Sequence, residues 1–109
     1  MPQFTISTTG LAVAEKNPLR VSLSFRHNGT ANEISLQQCQ PAAVKTTTAE
    51  FVIGAKGAVS LTLRDDGRES VQNAWAAIAD AGSQTLVVFE GMAKTEEQVL
   101  AMLTMPAVK

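Results

Sequence analysis

With 109 residues, 45% hydrophobic and 17% charged, the chain is sized for one domain over 1–109, and it should fold rather than stay disordered. A net charge of −1 with scattered Lys and Arg argues against nucleic-acid binding through phosphate neutralisation. A single cysteine rules out an internal disulfide and a cysteine-based zinc site.

Residues 3–7 alternate apolar and polar through Phe4 and Ile6, the period of a half-buried strand. Leu11 to Ala14 is apolar but short, and reads as a continuation of that strand after a bulge. Asn17-Pro18 starts a turn. The cleanest strand covers 19–26. Leu19, Val21, Leu23 and Phe25 share one face, with Arg20, Ser22, Ser24 and Arg26 on the other, so one side should meet a core and the other water. Asn28-Gly29 is a strong hairpin signal because both residues tolerate positive φ, and the return strand is expected over 33–39 through Ile34 and Leu36. The segment 41–48, with Pro41 and Thr46-Thr47-Thr48, reads as a loop or irregular edge. Residues 50–53 and 58–64 alternate again, joined by a flexible turn at Gly54–Gly57.

The hydrophobic period then lengthens to 3.6 residues. Asp66 and Glu69 have the spacing of a capping box, and Val71, Ala74, Trp75 and Ile78 form an i, i+3, i+4, i+7 stripe, which predicts a helix over 67–81 stopped by Gly82. Trp75 on that stripe is expected in the core. Leu86 to Phe89 has no polar alternation and suits a strand covered on both faces. Thr95 and Gln98 form a second capping box for a short helix over 95–105, closed by Pro106. The expected fold is α+β: a mainly antiparallel β-meander of about five to six strands, as a sandwich or strongly curved sheet, with one main and one short C-terminal helix.

No stretch carries a recognisable catalytic, cofactor or metal motif, and none is expected to act. Cys39 and His27 are the only residues of their kinds and form the obvious nucleophile–base hypothesis. The hairpin register holds them apart, which leaves a half-buried structural thiol and a solvated turn histidine. Asp65-Asp66-Gly67 shares a fragment of a calcium loop, but it lacks the alternating oxygen ligands, so helix capping explains it better. Gly54–Gly57 lacks the Lys-Ser or Lys-Thr of a phosphate loop. Glu50 and Glu90 read as solvated strand ends, and the methionines at 92, 102 and 105 as filling under a terminal helix.

The polar face Arg20, Ser22, Ser24, Arg26 and the run Thr46, Thr47, Thr48 form the candidate interface. A meander has two edge strands, and these carry few of the residues that block edge pairing, which favours an assembling protein. The block "VSLTLRDDGRESVQNAWAAIADAGSQTLVVFE" resembles the strand, Asp-rich turn, helix and strand of bacteriophage tail-tube proteins. There a β-sandwich with a flanking helix stacks into rings through its sheet edges. The helix at 95–105 departs from that pattern, where further strands are expected. The resemblance implies a virion or tail component, a homo-oligomer whose partners are copies of itself, another protein or both, while the scattered charge and the lack of a long apolar run argue against nucleic-acid and membrane partners. The alternatives are a small binding protein that inhibits or regulates a partner and, third, an enzyme using Cys39. With no charged stretch followed by an apolar run at its start, the chain is expected in a virion or the cytoplasm, although a removed signal would leave the same picture.

Overall fold

The computed structural model describes residues 3–40, 43–47 and 49–104. The protein is α+β, and its described residues form eight strands in two antiparallel sheets and two helices. In chain order the elements are β1 (Gln3–Ile6), β2 (Leu11–Ala14), β3 (Arg20–His27), β4 (Ile34–Gln37), β5 (Phe51–Ile53), β6 (Ala58–Thr62), α1 (Leu63–Gln72), β7 (Trp75–Ala79), β8 (Gln84–Met92) and α2 (Glu96–Thr104). The first sheet runs β1-β8-β3-β6 and the second β2-β7-β4-β5. Both contribute to one core, in which Ile6, Leu23, Phe25, Leu61, Leu86 and Val88 of the first sheet meet Val13, Ile34, Leu36, Ile53, Trp75 and Ala77 of the second. This is the two-layer solution for sheets that are each apolar on one face.

The expected sandwich is present, but it is not a meander, because strands adjacent in sequence mostly fall in different sheets. Leu11 to Ala14 does not continue β1. It crosses over to pair with β7. The hairpin expected at Asn28-Gly29 is also a crossing: β3 pairs with β6 and β8, while β4 pairs with β5 and β7. In that loop the residue with positive φ is Asn32 (65°), not Gly29. The His27 ring organises the crossing. Its Nδ1 accepts from Gly29 N at 3.0 Å, and its Nε2 lies 3.2 Å from Asn32 O. These two contacts call for a neutral ring that carries its proton on Nε2.

The main helix is shorter and earlier than expected. α1 begins at Leu63, capped by Thr62, whose Oγ1 accepts from Asp65 N at 3.3 Å, while Asp66 Oδ2 accepts from Thr62 N at 2.8 Å. Asp65 and Asp66 therefore do act at a helix start, but with Thr62 as the cap. Gly67 (φ 83°, ψ 172°) kinks the helix, and it ends at Gln72. Residues 75–79 form the strand β7 instead of a third helical turn. β7 lies between β2 and β4, so pairing on both edges outweighs the helical preference of its alanines. Trp75, Ala77 and Ala79 then face the core, and Ala76 and Ile78 face outward. Gly82 has the expected positive φ (64°), in the β7–β8 turn rather than at a helix end.

α1 carries the chain from the first sheet to the second at one end of the sandwich and adds Leu63 and Val71 to the core. Trp75 sits at the centre of that end, 5.6 Å from the Phe25 ring and 5.7 Å from the Phe51 ring, with its Nε1 donating to Ser70 O at 2.8 Å. Of the run expected to be covered on both faces, Leu86, Val87 and Val88 are buried and Phe89 is 39% exposed. α2 starts where its capping signal placed it, with Gln98 N donating to Thr95 Oγ1 at 3.3 Å. Val99 reaches the core, whereas Met92 is exposed and fills no seam. Pro106, Met105, Pro2, Pro41 and Thr48 lie outside the described residues. No helix of the described residues is long and apolar enough to cross a membrane.

Candidate functional site

The residues singled out in the sequence divide into a buried anchor, a solvated sheet face and a separate loop. Arg20 is the correction among them. The alternation along its strand predicts a place on the wet face, yet Arg20 is fully buried. The cause is a bulge between Arg20 and Ser22, which breaks the strict alternation of β3 and turns Arg20 inward. Its guanidinium is then fully used. Nε donates to Val71 O (2.7 Å), Nη1 to Glu15 O (2.8 Å) and Glu90 Oε1 (2.9 Å), and Nη2 to Glu15 O (2.7 Å) and Asn73 O (3.1 Å). Glu90, read as a solvated strand end, is the partner of this buried charge. Arg20 thus ties the segment before β3, the end of α1 and β8 into one joint, and no donor is left for a ligand.

Ser22, Ser24 and Arg26 do lie together on the outer face of the first sheet. Ser22 and Ser24 are half-buried and Arg26 is exposed, with Ser24 Oγ donating to Ser60 Oγ at 3.0 Å. Phe89 stands opposite Ser24 on this face. Thr46 and Thr47 are exposed in the segment after β4 and belong to the other sheet. That segment folds back over the outer face of the second sheet. Lys45 N donates to Gln37 Oε1 (3.2 Å) and Gln38 N to Glu50 Oε2 (2.9 Å), and Val44 and Ala76 are buried outside the central core. The two halves of the candidate interface are therefore on different sheets.

Cys39 and His27 lie at opposite ends of the sandwich. His27 ends β3 and is fully buried, not solvated, with both ring nitrogens engaged in its own loop. Cys39 follows β4 at the α1 end, beside a cavity of about 320 Å³ lined by Lys16, Gln38, Gln40, Asn73 and Ala74. Burial pushes its thiol pKa up, and the nearby Glu50 carboxylate adds to the shift. Both effects work against a thiolate nucleophile. Among the described residues no three His, Cys, Asp or Glu side chains gather to hold a metal ion. A second cavity, about 340 Å³, opens between β1 and β2 and is floored by Phe4, Val13, Val88 and the Arg20–Glu90 pair.

What sequence reasoning missed is the set of sheet edges. β1 and β6 border the first sheet, and β2 and β5 the second. Their sequences, Gln-Phe-Thr-Ile, Ala-Val-Ser-Leu-Thr, Leu-Ala-Val-Ala and Phe-Val-Ile, hold no charged residue and no proline. That signal was present in the sequence, but a meander has two edges and this sandwich has four. Comparison with known proteins adds no relation, since no protein-family model, curated protein or solved structure matches the chain.

Proposed function

We propose that the protein is a non-enzymatic structural or assembly component that acts by self-association, as part of a virion tail or a related assembly. The observation that carries this reading is the composition of the four edge strands. Stable monomers guard such edges with lysine, proline, bulges or a covering element, because an open edge offers unpaired N–H and C=O groups to another chain. Here none of the four has a charge or a proline, and only β2 is irregular, with a register shift between Ala12 and Ala14.

Size-exclusion chromatography with light scattering, followed by electron microscopy, tests the reading. Oligomers, rings or tubes are expected, and a strictly monomeric protein at high concentration would end it. Exposed Phe89 and Met92 on β8 favour a second reading, a small binding protein that occludes a partner. A stable monomer that captures one host protein, and loses it on Phe89→Ser, would select that alternative.

A further inference from the structure

Independently of the self-association reading, we infer that Asn28-Gly29 is a self-modifying site, at which the protein's own side chains drive the deamidation of Asn28 to aspartate or isoaspartate. The peptide joining these two residues is held at both of its polar atoms. Gly29 N donates to His27 Nδ1 at 3.0 Å, and Asn28 O accepts from Lys56 Nζ at 3.2 Å. A backbone N–H is a poor nucleophile until a base takes its proton, and His27 Nδ1 is a base within hydrogen-bond reach of that proton. The charge left behind spreads onto the carbonyl oxygen of the same peptide, where the Lys56 ammonium stands to receive it. The electrophile is the adjoining side chain. Asn28 is exposed, and its hydrogen bonds among the described residues are made by its backbone, N to Thr85 O at 2.8 Å and O from Lys56. Its carboxamide carbon is thus within the same residue pair as the activated nitrogen.

The fold explains why these groups meet. His27 ends β3 fully buried, and its N donates to Gly57 O at 2.9 Å, a bond that docks the Gly54–Gly57 turn carrying Lys56 against the strand end. Turn preference does not account for Gly29, whose φ is not positive. A Cβ there would run into Gln84 Oε1 and His27 Cε1, so glycine is what lets the ring lie against this peptide, and it leaves the Gly29 nitrogen unshielded. In the reaction the bond from Gly29 N to Asn28 Cγ forms as His27 Nδ1 takes the amide proton. The bond from Asn28 Cγ to Nδ2 then breaks, and the imidazolium returns that proton to the leaving nitrogen, which departs as ammonia. Water opens the resulting cyclic imide at either carbonyl, giving aspartate or isoaspartate. Nothing is oxidised or reduced; one water is consumed and one ammonia released. Either product puts a carboxylate on the residue that Lys56 already contacts. Isoaspartate also lengthens by one carbon the main chain of the loop that crosses from the first sheet to the second.

Peptide mapping by mass spectrometry tests the site. The full chain is incubated at neutral pH, folded or in guanidinium chloride, and the aspartate and isoaspartate formed at Asn28 are followed with time. A fold that merely restrained the loop would slow the reaction relative to the unfolded chain. Here the folded chain is expected to react about tenfold faster or more than the unfolded one. His27→Asn keeps an acceptor oxygen for Gly29 N–H but supplies no base, and is expected to abolish that excess. Lys56→Gln is expected to lower the folded rate by about threefold or more, and both variants should match wild type when unfolded. Should His27→Asn fail to fold, Lys56→Gln and the comparison of folded with unfolded wild type still decide. A folded wild type that reacts no faster than the unfolded chain, or either variant folded and reacting at the wild-type rate, overturns the assignment.

Discussion

The strongest single-residue constraint is Arg20. Its charge is buried and every N–H is directed at a carbonyl or at Glu90. Removing it strands four acceptors, so Arg20→Ala is expected to cost about 3–5 kcal/mol in urea denaturation. Lysine has neither the planar fork nor enough donors, so Arg20→Lys should recover little of that. Glu90 is 35% exposed at its side chain, and solvent replaces much of what Glu90→Gln removes, so its cost should stay near 1 kcal/mol or below. Cys39 gives a pH prediction. Its pKa is raised in the folded protein by burial and then by Glu50, so the folded state holds the thiol proton more tightly than the unfolded chain does. That contribution is complete below the unfolded thiol pKa and is lost as pH rises through the folded one. Wild type should therefore lose stability relative to Cys39→Ser on alkaline titration of the denaturation midpoint. An increasing advantage for wild type would contradict the sign.

The elements show how a correct local signal can be placed in the wrong structure. Asp65, Asp66, Glu69 and the Val71–Trp75–Ile78 spacing all favour a helix, and a helix does start there. Trp75 and Val71 are both buried, as either a helix or a strand would require, so spacing alone could not separate the two. Gly67 is the visible break. Its φ of 83° with ψ of 172° is open in practice only to glycine, and a Cβ there would meet nothing within 4 Å. Gly67→Ala is accordingly a test of backbone strain alone, with an expected loss of about 1–3 kcal/mol by thermal or chemical denaturation. At Gly91, by contrast, an added Cβ would run into Ser22 Oγ, so that glycine serves the close approach of β8 to β3. Trp75 joins Phe25 of one sheet to Phe51 of the other, and Trp75→Ala should cost about 3–5 kcal/mol, with loss of cooperative unfolding as the accompanying sign.

At the scale of the whole molecule, a small sandwich low in aromatic residues, with four edge strands among its described residues, gains stability from anything that pairs with those edges. Association of the native state alone makes apparent stability depend on protein concentration. The melting temperature of the wild type should therefore rise with concentration in a dilution series followed by circular dichroism, and a concentration-independent value would contradict self-association. By itself the sequence determined the class and most of the pieces: α+β, the strands at β1, β3, β5 and β6, the C-terminal helix, the Gly54–Gly57 turn and the burial of Trp75. These follow from alternation, capping and turn chemistry, which act over a few residues. The tertiary structure decided which strands pair, that residues 75–79 extend rather than coil, and that Arg20 and His27 are internal. Each of those outcomes depends on partners far apart in the chain. β7 is a strand because β2 and β4 flank it, and Arg20 turns inward because Glu90 and the end of α1 supply its acceptors. Local periodicity carries no information about a neighbour fifty residues away, and those neighbours set both the edges of the two sheets and the surface through which the protein is proposed to act.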